Sequence, residues 1–258
     1  MASRRAISVN LPFGIKIAVQ EGVYKGIYIA LSGSVLKQDQ IDIVSNNLAN
    51  ANTVGFKKER ASFKEFLVSR ISGAQDSDDG RAMSDLSEVK TDFGAGTHLR
   101  TGNPLDVALD GKGFLSVEGG RYTRKGDLRI GRDGSLVTQE GLKVLGSKGP
   151  IKLPAGQADI APSGEVRVNG KPVDTLKIVD FANQGELREL EGGYYSANLP
   201  SIRSNAVVAP GHLEASNVDV VKEMVRMIST LREFETYQKA IQMFDEAAAR
   251  INNDMAKV

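Results

Sequence analysis

The C-terminal segment constrains the fold most strongly, because residues 216–258 contain neither glycine nor proline. Its apolar residues recur at steps of four and three, which is typical of the seam of a coiled coil on a long α-helix. They are Val220, Met224, Met227, Leu231 and Phe234, and then Tyr237, Ile241, Phe244, Ala248, Ile251 and Met255. Two successive steps of three, from Leu231 to Tyr237, predict a local phase slip in this seam.

The N-terminal part of the chain carries a second apolar stripe. Between residues 26 and 51 there is no proline and one internal glycine, Gly33. Two adjacent heptad lines are apolar, and they predict an amphipathic helix: Ile29, Leu36 and Ile43 form one, and Ile27, Ile41 and Leu48 form the other. If the two terminal helices pair as a coiled coil, part of the longer stripe stays uncovered and requires other subunits. Packing of the helical pair onto the chain's own β domain is an equal alternative.

The middle of the chain reads as an antiparallel β domain. Nineteen of the 27 glycines and six of the eight prolines lie between Thr91 and Pro200. Short alternating apolar runs separated by turn dipeptides are typical of short antiparallel strands. Asn169-Gly170, between Val168 and Val173, is the clearest signal for a two-residue hairpin.

These patterns predict an α+β protein in five segments. We expect an unstructured leader at 1–22, an N-terminal helical segment at 23–66 and a flexible connector at 67–96. A β-rich central domain follows at 97–200, and a connector with the long C-terminal helix occupies 201–258.

Composition argues against most enzyme classes. The chain has a net charge of +1, no cysteine and two histidines, so it offers no thiolate and no multi-histidine metal site. We expect no catalytic, cofactor-binding or metal-binding residues, and a neutral chain gives no general attraction to nucleic acid. The basic cluster Lys57, Lys58 and Arg60 is therefore interpreted as a solvated face. A β domain that binds or hydrolyses cell-wall glycans remains an alternative, but it would need paired carboxylates in one cleft, and we find no such pair.

Four asparagines crowd the predicted end of the first helix, within residues 46–52. Asparagine tolerates the left-handed conformation, and its amide can bind the last carbonyls of a helix. A helix cap is the simplest interpretation of this segment.

The same segment carries a family resemblance. NNLANANTVGFKKE, residues 46–59, resembles the signature of bacterial flagellar rod and hook proteins. RTGNPLDVALDGKGFLSV, residues 100–117, is similar to their shared central segment, and residues 213–242 are similar to their C-terminal helix signature. Residues 144–181 most resemble proximal-rod subunits, with distal-rod subunits as the nearest alternative. Residues 1–22 precede the resemblance, as a real extension or through a misassigned start codon.

The resemblance implies a structural subunit of the flagellar basal-body rod, the drive shaft that crosses the periplasm. Its terminal helices would pack in the tubular core, against further copies of itself and other proximal and distal rod subunits. Export would use the flagellar type III apparatus without a cleaved signal peptide. The resemblance implies no enzymatic activity, cofactor, nucleic acid or membrane insertion.

The residues that we expect to pack in this assembly come from the two stripes and the asparagine-rich segment. They are Ile29, Leu36, Ile43, Asn47, Leu48, Asn50, Asn52, Gly55, Val220, Met224, Met227, Leu231, Phe234 and Ile241.

Overall fold

The computed structural model describes residues 13–68 and 81–255. Along this part of the chain two long helices flank nineteen strands in sequence, so the predicted α+β class is confirmed. The elements are α1 (Phe13–Ala49), β1 (Glu59–Val68), β2 (Arg81–Thr91), β3 (His98–Arg100), β4 (Val107–Asp110), β5 (Phe114–Val117), β6 (Arg121–Thr123), β7 (Arg129–Ile130), β8 (Leu136–Val137), β9 (Leu145–Gly146), β10 (Gly149–Pro150), β11 (Ala158–Ile160), β12 (Glu165–Val168), β13 (Lys171–Thr175), β14 (Ile178–Asp180), a 3-10 turn (Gln184–Glu186), β15 (Arg188–Leu190), β16 (Tyr194–Ser196), β17 (Ile202–Arg203), β18 (Val207–Pro210), β19 (His212–Glu214) and α2 (Val220–Met255). Within this part, neither helix is both long enough and apolar enough to cross a membrane.

The chain divides into two units. The first comprises Met1–Asp42, Ala61–Glu88 and Val225–Val258, and the second comprises Ile43–Arg60 and Val89–Met224. The second unit therefore contains the end of α1, the start of α2 and all strands from β3 to β19.

The strands of the second unit form several small sheets. The largest has six strands in the order β15-β16-β6-β5-β14-β17, and β11-β12-β13 form a three-stranded sheet. Neighbours in both sheets are antiparallel, as the turn-rich sequence predicts. One core consists mainly of aliphatic side chains, among them Val107, Leu115 and Val166. A second core is mainly aromatic, and contains Phe114, Val179, Phe181, Leu187 and Tyr195.

The predicted hairpin at Asn169-Gly170 is confirmed. It joins β12 to β13, with Val168 paired to Lys171, so the loop has two residues. Asn169 has φ of 50° and Gly170 has φ of 74°. Two successive positive φ angles are what the favoured two-residue hairpin turn requires, and Asn-Gly adopts them at low cost.

The two helices contact each other in antiparallel orientation within the first unit. A Cβ built on Gly26 would lie 2.7 Å from the ring of Phe244, and one on Gly33 would lie 2.5 Å from the ring of Tyr237. The Lys37 ammonium is 2.5 Å from a carboxylate oxygen of Glu233. From the first glycine contact to the second, the residue number rises by seven on α1 and falls by seven on α2. The contact therefore repeats after one heptad on each helix.

The buried face of α2 differs from the predicted seam at one position. Thr230 is 4% exposed, whereas Leu231 is 41% exposed. With Thr230 in place of Leu231, the least exposed positions follow steps of four and three without interruption: Glu223, Met227, Thr230, Phe234, Tyr237, Ile241, Phe244 and Ala248. The predicted phase slip is therefore wrong. It arose because a polar residue occupies a packed position and a leucine lies beside it on the surface.

The face of α1 that meets α2 carries small residues rather than the expected isoleucine lines. Ala30, between the two contact glycines Gly26 and Gly33, is buried, as is Ser34 directly after them, whereas Ile29 is exposed. Small side chains leave room for the aromatic rings of α2, because two bulky rows could not approach as closely. Of the other residues predicted on this helix, Ile43 is buried, and Leu36 and Leu48 are half-buried.

Two predicted segments are wrong in the described part. Residues 13–22 belong to α1 rather than to an unstructured leader, while residues 1–12 lie outside the description. The expected connector at 67–96 contains the end of β1 and all of β2, which pair with each other. The two strands are held together by backbone hydrogen bonds, which do not depend on residue type. A charged segment with few large apolar residues therefore gave no indication of them in the sequence. The strands also continue past the expected boundary at 200, as far as Glu214.

Replacing Gly33 by Leu is expected to destabilise the chain, because Tyr237 occupies the space that a side chain needs. Overpacking of this kind costs about 1–3 kcal/mol, measurable by thermal unfolding of the full-length chain. In a Tyr237→Ala background the cost of Gly33→Leu should largely disappear. An equal cost in both backgrounds would mean that these helices do not pack through this contact.

Candidate functional site

The asparagine-rich segment begins by capping α1. The amide of Asn50 donates to the carbonyl oxygen of Asn46 at 3.0 Å and to its side-chain oxygen at 2.9 Å. The Thr53 hydroxyl donates to the Asn50 side chain at 3.1 Å. The interpretation of these asparagines as a cap is thus confirmed for Asn46 and Asn50. Asn52 is exposed.

Asn47 has a different task, because it is completely buried. Its side-chain amide donates to the carbonyl oxygen of Glu59 at 2.9 Å, and the Glu59 amide donates to its side-chain oxygen at 2.8 Å. The side chain thereby pairs with the backbone of Glu59 much as a neighbouring strand would. This pair fastens the last turn of α1 to the first residue of β1.

Position 55 requires a glycine for two independent reasons, its backbone conformation and the lack of space for a side chain. Its φ is 67°, and a Cβ there would lie 2.6–2.7 Å from backbone atoms of Arg124 and Lys125. Its amide donates to the carbonyl oxygen of Glu214 at 2.8 Å. A side chain at this position would therefore meet main chain, which cannot rotate away.

Lys57 is the main correction to the sequence interpretation. Its side chain is 0% exposed, so it is not part of a solvated face. The ammonium donates to Glu214 Oε1 at 2.5 Å and to the carbonyl oxygen of Gly94 at 2.7 Å. Burial lowers the pKa of Lys57, and the hydrogen bond and charge of Glu214 oppose that shift. A buried ammonium requires such a partner, because an isolated one would be very costly.

Arg124 is a second buried cation on the same carboxylate. One guanidinium nitrogen is 3.4 Å from Glu214 Oε2 and also donates to the carbonyl oxygen of Leu109 at 3.1 Å. The other terminal nitrogen donates to the carbonyl oxygen of Gly111 at 2.7 Å. The guanidinium carbon lies 5.4 Å from the centre of the Phe114 ring. Burial lowers the pKa of Arg124, and the charge of Glu214 opposes this.

Asn217 completes the cluster from the C-terminal side. Its side-chain oxygen accepts from the Lys58 amide at 2.8 Å, and its amide donates to the carbonyl oxygens of Asp92 at 2.8 Å and Gly94 at 3.0 Å. We call the set Asn47, Gly55, Lys57, Arg124, Glu214 and Asn217 the junction. It joins the last turn of α1, the segment that follows it, the strand region and the segment that precedes α2, all within the second unit.

The sequence identified only part of the junction. Asn47 and Gly55 are among the residues predicted to pack in the rod assembly, and in the single chain both are buried by its own residues. Arg124, Glu214 and Asn217 were missed, although Glu214 and Asn217 lie in the segment that carries the family resemblance. The predicted residues of α2 lie outside the junction, with Val220, Met224 and Leu231 exposed, and Met227, Phe234 and Ile241 half-buried.

The junction is structural rather than catalytic in its chemistry. Its carboxylate is held between two cations and receives a third hydrogen bond from the amide of Gly96 at 3.0 Å. Across residues 13–68 and 81–255, no three acidic, histidine or cysteine side chains are placed to hold a metal ion.

Replacing Glu214 by Gln should strongly destabilise the chain, because Lys57 and Arg124 would be left buried without a counter-charge. Breaking a buried ion pair in this way costs about 3–5 kcal/mol. Glu233→Gln, which removes the exposed partner of Lys37, should cost less than about 1 kcal/mol. Chemical denaturation of both full-length variants measures the difference, and equal losses would contradict the junction's role.

Comparison with known proteins identifies three matching family models. Residues 27–57 match "Flagella basal body rod protein", and residues 108–168 match "Flagellar hook protein FlgE/F/G D1 domain". Residues 209–254 match "Flagellar basal body rod FlgEFG protein C-terminal". The first and last matches contain Asn47, Gly55, Lys57, Glu214 and Asn217, so most of the junction lies in segments that the family models describe.

Full-length relatives agree with these matches. The chain is 31% identical to the flagellar basal-body rod protein FlgG of Bacillus subtilis over 259 residues, covering 89% of this chain and 98% of that protein. It is 32% identical to FlgF of Salmonella typhimurium over 251 residues, covering 88% of this chain and 96% of that protein. The chain therefore belongs to the flagellar basal-body rod family, and it is a structural rod subunit rather than an enzyme.

Proposed function

We propose that the paired helices act as an assembly element of the rod, whose outward apolar stripes are covered by neighbouring rod subunits. The observation that carries this proposal is a stripe on each helix. Tyr28, Leu31 and Val35 of α1 are between 49% and 64% exposed. Val221, Val225 and Ile228 of α2 are between 53% and 71% exposed.

Each stripe has the three- and four-residue spacing that places side chains on one side of a helix. Contiguous exposed apolar side chains of this kind mark interaction surfaces in soluble proteins. The occupants that we propose are further copies of this chain and the proximal and distal rod subunits. Of the fourteen residues expected from the sequence, Ile43, Asn47 and Gly55 are buried within the chain, so the proposed assembly roles fall on the other eleven, with Met224 and Leu231 flanking the α2 stripe.

The same proposal gives the two helices the geometry of an antiparallel coiled coil. Gly26 and Gly33 face Phe244 and Tyr237, respectively, so the contact repeats after one heptad on both helices. Repetition every seven residues is the defining feature of coiled-coil packing. Such a pair would resist bending along a drive shaft better than two independent helices.

The proposed place of action is the periplasmic part of the rod. We propose that the chain reaches it through the flagellar type III export apparatus, without a cleaved signal peptide, and that it neither inserts into a membrane nor binds nucleic acid. The absence of cysteine in the sequence supports this route, since no disulfide must form after passage of an unfolded chain.

A proximal-rod position like that of FlgF is our first assignment, because residues 144–181 most resemble that type. A distal position like that of FlgG is the alternative. Identities of 32% to a FlgF and 31% to a FlgG do not separate them. Localisation of the tagged chain in isolated basal bodies would distinguish the two positions.

Val225→Asp and Ile228→Asp should each abolish incorporation into the rod and motility, because a charge would enter a contact that neighbours bury. Both side chains are exposed in the single chain, so the unfolding free energy of the purified subunit should change by less than about 0.5 kcal/mol. Immunoblots of isolated basal bodies and swimming assays measure the outcome.

Gln238→Asp is the matched control, since this exposed residue of α2 undergoes the same change in charge away from the apolar stripe. It should assemble and swim normally. Normal motility of Val225→Asp and Ile228→Asp would overturn the proposed contact, and failure of all three variants would show that charge on α2, not burial, blocks assembly.

A further inference from the structure

The exposed stripe of α1 lies almost opposite to the face that packs against α2. Tyr28 is two residues after Gly26, the first contact glycine. Leu31 and Val35 are two residues before and after the second one, Gly33. Two residues correspond to a rotation of about 200° around a helix of 3.6 residues per turn. One face of α1 is therefore occupied by α2, while the opposite face is apolar and exposed in the single chain.

The exposed stripe of α2 is related to its packed face in the same way. Val225 lies two residues before the half-buried Met227. Ile228 lies two residues before the buried Thr230. Val221 continues this stripe one turn earlier and is also exposed. Each helix of the pair therefore carries an apolar stripe on its outer side.

The composition of α1 indicates that its outer side is covered in the assembled state. Residues 26–36 contain no charged side chain, although Tyr28, Leu31 and Val35 among them are exposed. A helix with no polar face is typical of one that is buried on more than one side. The surface that covers this stripe must itself be apolar, and the α2 stripe of another copy meets that requirement.

Symmetry favours a contact between the two different stripes over a contact between like stripes. When a surface pairs with its own copy, a twofold axis relates the two subunits, and the contact cannot propagate further. When two different surfaces of one chain meet, the contact repeats from copy to copy and builds a ring or an open helical filament. The α1 and α2 stripes are two such surfaces, so a second copy of this chain can cover each of them.

The spacing of the stripes selects one alignment. Copies related by a screw axis along the helices keep the direction of each helix, so α1 of one copy and α2 of the next run antiparallel. Both stripes then match in steps of three and four and form three wholly apolar layers. These layers are Tyr28 with Ile228, Leu31 with Val225, and Val35 with Val221. A shift by one heptad either places Arg232 against Leu31 or carries Val35 past the start of α2.

We propose that the α1 stripe of one copy packs antiparallel against the α2 stripe of the next copy in these three layers. This inference rests on the proposed function, since it names the occupant of the stripes. Each helix then has its own partner on one face and the neighbouring copy on the opposite face. Within a chain Gly33 contacts Tyr237, whereas between copies Val35 is level with Val221. The next copy is therefore displaced along the helices by two heptads, about 21 Å.

Pairs of introduced cysteines test this alignment, because the chain contains no cysteine of its own. We expect full-length Leu31→Cys/Val225→Cys to assemble into rods. Oxidation of isolated basal bodies with copper-phenanthroline should cross-link it into dimers and larger oligomers on non-reducing gels. The matched control is Leu31→Cys/Arg232→Cys, whose cysteines would lie about 10 Å apart along the helices. This distance is too long for a disulfide, so the oligomers should be lost.

Three results would overturn the inference. Cross-linking of Leu31→Cys alone would show that like stripes meet, and equal yields from the two cysteine pairs would show a different alignment. Rods that contain Leu31→Cys/Val225→Cys but form no cross-links would assign the stripes to another rod subunit. If the double variant does not enter the rod, co-expressed Leu31→Cys and Val225→Cys chains should give dimers and nothing larger, and the absence of dimers would again overturn the inference.

Failure of this inference can be distinguished from failure of the proposed function. Val225→Asp blocks assembly whenever a neighbouring subunit of any kind buries the α2 stripe. If Val225→Asp blocks assembly and no cross-links form, the stripes are covered by a subunit other than a second copy. If Val225→Asp assembles normally, the proposed function itself is wrong.

Discussion

The carboxylate of Glu214 is the interaction on which the junction depends. It is buried between the ammonium of Lys57 and the guanidinium of Arg124, which come from segments far apart in the sequence. Because burial of each cation is unfavourable without this carboxylate, the three segments must come together as one unit or not at all. Backbone contacts reinforce the arrangement, since Gly55 approaches the main chain of Arg124 too closely for any side chain. Within the second unit, the junction therefore connects the segment just after α1 with the segment just before α2.

The helices show how far apolar periodicity can be trusted. It predicted both terminal helices and most of the heptad spacing of α2, because large apolar residues occupy most of the packed positions of α2. It failed at Leu231, since Thr230 occupies the packed position and the leucine faces outward. It failed on α1 because glycine, alanine and serine form the contact face there, and small residues are invisible to a search for large apolar ones. The sequence shows that Ile29 and Val35 are apolar residues of a helix, but it does not show that they lie on the exposed face rather than on the face that packs against α2.

The junction was harder to predict than the helices, for a physical reason. A basic cluster such as Lys57, Lys58 and Arg60 normally faces solvent, and only a partner more than 150 residues away makes Lys57 a buried residue. Sequence patterns report local periodicity and turns, which is why the Asn169-Gly170 hairpin and the cap at Asn50 were recognised. They do not report charges that meet through tertiary folding. The family resemblance marked the segments that contain Asn47, Gly55 and Glu214 without revealing that they touch.

Native-state hydrogen exchange on the full-length chain tests most directly whether the junction is part of the cooperative core. The diagnostic amides are those of Gly55, Glu59 and Gly96, which donate to Glu214, Asn47 and Glu214, respectively. We predict that they exchange only through global unfolding, with the same opening free energy as buried amides of β5. Exchange of these three amides through a local opening of much lower free energy, while β5 stays protected, would contradict the account.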